Sequence, residues 1–286
     1  DKLHLHKVYR KVLAIAGISS AREMFPFKKK TFSSGFPEKI KGTPGMPHAV
    51  YFPGCSVNLA FENIGSSVIK ILRQNGFTIT VPDTVCCGMP PYNGGDPETA
   101  MVLGEKNLKI LTDTNADIIV TSCSSGGSML KHVYPEILGK KSLAVSEKVM
   151  DINDLMISLK NLKKPEIPVR KKITYHDPCH LNRRMHVNRQ PRDIIKMIPG
   201  AEFIEMDTAD TCCGGGGSFT LKHYELSLKI LKKKIESFNR TGAEIIATAC
   251  PACILQLKEG IRRFGRNKNA LVLHTAELLA SSYSDE

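Results

Sequence analysis

Nine cysteines are the residues of this chain most able to do chemistry: Cys55, Cys86, Cys87 and Cys123 in its first half, then Cys179, Cys212, Cys213, Cys250 and Cys253 in its second. An odd number cannot all pair within one chain, and adjacent cysteines such as Cys86 and Cys87 are hard to bridge to each other without backbone strain. Metal binding is the better reading. Structural zinc is satisfied by four ligands, commonly two closely spaced pairs, and the neighbouring side chains of a Cys-Cys pair diverge on extended backbone. An iron–sulfur cluster is wider than one ion, so neighbouring thiolates can reach different irons. Five thiols in the second half, ending in CPAC at 250–253, therefore suit a cluster better than a zinc. Four glycines follow Cys213. Gly214, Gly215 and Gly216, with Gly217, would let bare backbone approach a cluster and turn N–H groups toward its sulfides; the plainer alternative is a tight strand-to-helix turn. No Gly-Lys-Ser/Thr follows, so the stretch is not a phosphate-binding loop.

The cysteine pattern is written twice. Equivalent cysteines are offset by 124, 126 and 127 residues, and their flanks agree: "AVYFPGCSVN" with "ITYHDPCHLN", "DTVCCGMPP" with "ADTCCGGGG", "NADIIVTSCSSG" with "GAEIIATACPAC". One difference stands out, because Gly126 occupies the place that Cys253 has in the second copy.

The elements that must position these residues alternate. "HAVYFPG", "FTITVP" and "DIIVTSC" read as strands, separated by helical patterns near 58–76 and 97–115. The second half repeats this with "KKITYHD", a helix near 191–198, "AEFIEM", a helix near 218–239, "AEIIATAC" and a closing helix near 252–263. Strands alternating with helices imply parallel sheet, hence an α/β fold of two tandem, pseudo-twofold-related, Rossmann-like halves with the cysteines at the carboxyl ends of the strands. The expected division is a basic arm or connector at 1–46, a first domain at 47–158, a linker at 159–170 and a second domain at 171–286.

In this order, "GC–CCG–C" followed by "DPC–CCGGGG–CPAC" resembles the tandem cysteine-rich CCG domain family over roughly residues 47–284. That family includes the B and D subunits of heterodisulfide reductase and the iron–sulfur subunits of glycolate oxidase, lactate utilisation proteins and anaerobic glycerol-3-phosphate dehydrogenase. The resemblance implies that Cys179, Cys212, Cys213, Cys250 and Cys253 hold a non-cubane [4Fe-4S] cluster. With Gly126 in place of a fifth cysteine, Cys55, Cys86, Cys87 and Cys123 hold a cubane cluster, a zinc, or nothing. It also implies an electron-transfer subunit of an oxidoreductase, working beside a flavin dehydrogenase or other redox subunit and a ferredoxin-type domain or subunit. The alternatives are a heterodisulfide-type reductase acting on a thiol, disulfide or quinone substrate, and a zinc-bearing scaffold. Residues 1–46 resemble the connector that follows a ferredoxin-like domain in many relatives.

Around Cys179 stand His176, Asp177 and His180, with His186 and His274 further on. A histidine on a cluster loop could replace a ligand, relay protons or hydrogen-bond sulfide. Most lone histidines are structural, and five available cysteines make ligation by histidine the weaker idea. Met89, Pro90, Pro91 and Tyr92 follow the first Cys-Cys pair and read as packing around its pocket. Hydrophobic residues make up 42% of the 286, as in ordinary globular domains, and no apolar run approaches the roughly 20 residues of a membrane span. The net charge of +12 is concentrated in residues 1–41, where ten Lys and Arg face three Asp and Glu. A solvated arm, an acidic partner or an anionic membrane face would all suit that segment, while the lack of tryptophan and of any nucleic-acid motif argues against nucleic acid. Unpaired thiols without a signal peptide place the expectation in the cytoplasm, with any membrane association peripheral, at the inner face and through a partner.

Overall fold

The computed structural model describes residues 30–36 and 39–285, so most of the expected basic arm lies outside the described residues. Each half is built on four parallel strands. β1 (His48–Phe52), β2 (Thr78–Thr80), β3 (Ile118–Thr121) and β4 (Val149–Asp151) are ordered β2-β1-β3-β4. β5 (Lys172–Tyr175), β6 (Glu202–Phe203), β7 (Ile245–Thr248) and β8 (Leu271–His274) repeat the order as β6-β5-β7-β8. The central strands are sealed on both faces, with Ala49, Val50 and Tyr51 fully buried in β1 and Ile246 and Ala247 in β7, as parallel strands between helical layers require. The α/β expectation holds, with one addition: the fourth strands, β4 and β8, which run straight into the helices that follow them and do not stand out in the sequence.

Local chemistry sets the helix ends. Asp96 starts the helix Pro97–Asp113 by accepting the Thr99 N–H at 2.9 Å, and Asp151 starts Ile152–Ser158 by accepting that of Asn153 at 2.8 Å. In the second half the matching position is His274, which begins Thr275–Ser281 in a capping box with Glu277. The helix expected near 58–76 is two, Gly54–Leu59 and Glu62–Gln74, and that near 218–239 is broken at His223 into Phe219–Lys222 and Tyr224–Thr241.

The halves share their cores. Ala276, Leu279, Ala280 and Tyr283 of the final helix region pack with Val68, Ile69 and Leu72 of the helix Glu62–Gln74, across the boundary between copies. Val57 and Ile64 join Leu231, Ile235 and Phe238 in the same way. His274 Nε2 lies 3.0 Å from the Ser122 carbonyl oxygen, so the carboxyl ends of the two sheets meet.

Candidate metal centre

The strand order reverses direction between β1 and β3 and again between β5 and β7. In open α/β sheets the crevice at such a point receives ligands, because the helices following the two strands leave on opposite faces. Cys55 and Cys123 follow β1 and β3, and Cys179 and Cys250 follow β5 and β7, so four thiols occupy the two crevices by topology alone. Cys55 sits in the first turn of Gly54–Leu59, while Cys123 and Cys250 occupy the residues just before Ser124–Ser128 and Pro251–Phe264. Cys253 lies one turn into the last of these helices. The Cys-Cys pairs come from the loops after β2 and β6, each closed by a glycine with positive φ, Gly88 at 93° and Gly214 at 81°.

None of the nine cysteines is in a disulfide. Eight of them, all but Cys86, line a single cavity of about 360 Å³ between the halves. Its remaining wall is mostly apolar, with Leu59, Met89, Pro90, Ala252 and Leu255. The expected pocket residues therefore divide: Met89 and Pro90 line the cavity, whereas Tyr92 turns its hydroxyl to Glu136 at 3.5 Å and Pro91 is not among the lining residues.

The thiols form two hydrogen-bonded groups. Cys55 and Cys87 both donate to Cys86, holding its thiol well below the usual range. Cys179, then Cys213, does the same to Cys212. Cys213 also meets Cys253, which meets Cys250, so the five second-half cysteines form one continuous chain of contacts. Cys123 departs from the sequence expectation. It hydrogen-bonds across the boundary to Cys250 and is the largest cause of that thiol's depressed pKa, and Ser125 Oγ of the first half stands 4.0 Å from Cys250 Sγ. Crowding that holds Cys86 in the first group, and Cys212 and Cys250 in the second, below the usual thiol range makes a donor set ready for a metal, since the thiolate is the ligand form.

The glycine stretch does two jobs. A Cβ on Gly214 would lie 2.8 Å from the Ser227 carbonyl oxygen, and one on Gly215 would lie 3.0 Å from Gln256 Cβ and 3.3 Å from Cys213 Sγ. Around Gly216 there is open space, and Gly215, Gly216 and Gly217 all line the cavity. The Gly214 N–H donates to Cys212 Sγ at 3.2 Å, in line with backbone amides turned toward sulfur. Two residues not singled out in the sequence hold this turn. Ser227 Oγ donates to the Gly214 carbonyl at 2.8 Å, and Gln256 Nε2 donates to Ser227 Oγ at 3.0 Å. Gln256 is one helical turn beyond Cys253, which was the available signal.

Of the histidines, His176 is buried with a ring nitrogen within 4.8 Å of the sulfurs of Cys213 and Cys253. His180 lines the cavity, His186 is exposed with a φ of 56°, and His274 is spent on capping and the Ser122 carbonyl. Asp177 is not free for metal, because Arg192 clamps it with bonds of 2.9 and 2.7 Å. Lys234, 1% exposed, points its ammonium at the carbonyls of Thr208 and Ala209; burial lowers its pKa, with the charges of Cys213 and Asp177 opposing. A buried cation beside the second Cys-Cys pair favours a negatively charged occupant.

The model of the cysteine-rich CCG domain matches residues 49–131 and 173–258, one copy on each sheet. The chain belongs to this family. Three relatives show its range. The chain is 34% identical to the B subunit of the fumarate reductase (CoM/CoB) of Methanothermobacter marburgensis, over 88% of this chain and 50% of that protein. It is 31% identical to the probable glycolate oxidase iron–sulfur subunit of Bacillus subtilis, over 82% and 55%. It is 28% identical to lactate utilization protein A 2 of Bacillus cereus, over 82% and 98%. The CCG chain thus spans about half the length of the first two of these relatives. A hypothetical protein from Helicobacter pylori shares the fold with a TM-score of 0.61 at 11% identity, covering 98% of this chain and 54% of that one. Among the described residues no helix is long and apolar enough to cross a membrane.

Proposed function

We propose that this CCG chain is an iron–sulfur electron-transfer subunit of an oxidoreductase complex, with Cys179, Cys212, Cys213, Cys250 and Cys253 holding a non-cubane [4Fe-4S] cluster. What supports it is the unbroken chain of contacts among those five thiols on the wall of one cavity, beside the buried ammonium of Lys234. When bound, such a cluster supplies one-electron redox chemistry whose potential follows ligation, hydrogen bonds to sulfur and burial. The protein contributes each of these. Thiolates are fixed at strand ends, the Gly214 N–H donates to sulfur, and an apolar wall limits water. Cys55, Cys86, Cys87 and Cys123 offer a second site, for a cubane cluster or a zinc, and the contact of Cys123 with Cys250 gives electrons a path between halves. The partners that fit are a flavin dehydrogenase or other redox subunit and a ferredoxin-type domain, in keeping with the subunit names of the relatives.

A second reading, a thiol/disulfide reductase, draws on the apolar cavity wall between the two thiol groups, where a small disulfide or quinone would meet both. Iron, acid-labile sulfide and zinc measured on anaerobically purified protein, with EPR on the same sample, test the first reading. About four irons with matching sulfide mean one cluster and about eight mean two. Cys213→Ser should abolish the second-half signal. Zinc without sulfide, or an unchanged spectrum in that variant, would sink the proposal. A change of the EPR spectrum on adding a small thiol or disulfide to the reduced protein would favour the reductase.

A further inference from the structure

The two halves differ at a pair of positions that change together. His176 precedes Cys179 by three residues, and the residue in the same place before Cys55 is Phe52. Cys253 follows Cys250 by three, and the residue in the same place after Cys123 is Gly126. These are neighbours in space in both halves. A ring nitrogen of His176 lies within 4.8 Å of the sulfurs of Cys253 and Cys213. In the first half, the ring of Phe52 lies 3.9 Å from where a Cβ on Gly126 would stand. The half with the extra thiol has an imidazole facing it, and the half without has a benzene ring.

The state of that imidazole says what it faces. His176 is 1% exposed, and its Nδ1 is sealed from solvent with no hydrogen-bond partner. A buried ring nitrogen without a partner has lost its hydration with nothing in exchange, so such an atom asks for a ligand. The Ala209 carbonyl also lies against the ring. A carbonyl only accepts, so a ring N–H is what it can hold, and the imidazole's other nitrogen then keeps its lone pair. An imidazole that donates one nitrogen to a backbone carbonyl and presents the other's lone pair beside two thiols has the arrangement of a metal-bound histidine with its outer partner.

Resting on the second-half cluster proposed above, we propose that His176 supplies a ring-nitrogen ligand to the metal held by Cys213 and Cys253. The second-half centre then has a mixed nitrogen and sulfur donor set that the first half cannot reproduce.

The test is pulsed EPR on the whole chain, purified anaerobically with and without 15N-histidine, in whichever oxidation state of the centre is paramagnetic. Ligation predicts the strong coupling of a directly bound nitrogen, altered by the isotope and absent in His176→Phe, which copies the first half. The isotope comparison uses the unmutated protein, so it decides the matter even if that variant fails to fold. Normal iron and sulfide with no such coupling, or only the weak coupling of a hydrogen-bonded nitrogen, overturns the inference and leaves the cluster standing. No iron and no sulfide overturns both.

Discussion

The two halves have one topology and two interiors. β1 and β5 hold the same place in sheets of the same order, and both carry a cysteine into the crevice beside the next strand. Yet the second crevice gathers five thiols, the imidazole of His176 and the ammonium of Lys234, while the first has four thiols, Phe52 and Gly126. The buried polar residue on the first half's long helix is also neutral: Asn107 bonds the backbone around Cys86 and the Tyr134 hydroxyl. Topology fixes where a centre can sit. A handful of side chains decides which centre, and how much charge it carries.

The largest effect is expected where the halves touch. Cys250→Ser should remove the second-half centre, read as loss of its EPR signal with the matching iron and sulfide. Cys123→Ser should keep that centre while changing its spectrum, because Cys123 contacts Cys250 without being among the five. If both variants behaved alike, the division of the thiols into two groups would be wrong. Next in size is Leu279→Ala in the shared core, where Leu279 is 1% exposed. A buried Leu→Ala change costs about 2–5 kcal/mol. Urea unfolding should show one transition at lower midpoint, and two separated transitions would show that the halves are independent.

A smaller gain is expected from Gly126→Cys. A Cβ there meets Cys123 Cβ at 3.6 Å and Phe52 at 3.9 Å, which is ordinary contact. The fold should tolerate the change, and metal uptake by the first half should rise. Unchanged metal content would show that a fifth thiol needs the histidine as well.

The smallest effect is on pH dependence, and it sets two equivalent caps against each other. Burial pushes the Asp151 carboxyl up to about 7, above its ordinary 3.8, so its contribution to stability falls as pH rises from about 4 to 7. Burial pushes His274 down to about 4, below its ordinary 6.5, so its contribution falls as pH drops from 6.5 to 4. The two slopes oppose. Between those limits, relative to the unmutated protein, Asp151→Asn should gain stability with rising pH and His274→Gln should lose it, as read from urea midpoints at constant metal content. Parallel profiles for the two variants would refute the assignment.

Much of this was legible in the sequence because cysteine spacing and apolar runs are local signals. The strands at 48–52, 118–121, 172–175 and 245–248 are β-rich, bounded by turn residues, and read directly. β4, with the three residues Val149–Asp151, and β8 have no such contrast, since each runs straight into a helix that competes for the same window. The division of the thiols was half legible. Sequence spacing assigns Cys123 to the first group, whereas only the packing of one sheet against the other reveals Cys250 beside it. His176 stood out only as one of several histidines, because its unpartnered nitrogen exists only once Ala209, Lys234 and Cys253 are brought around it.

The helix Thr275–Ser281, packed on Glu62–Gln74, has a consequence for how the molecule is made. On a ribosome adding about 5–20 residues per second, the apolar face of Val68, Ile69 and Leu72 waits on the order of ten to forty seconds for the segment that covers it. During that interval the nascent first half has an open seam beside reactive thiols. Loading of metal between the halves must then follow synthesis of that helix, or rely on a chaperone that shields the seam until the helix arrives.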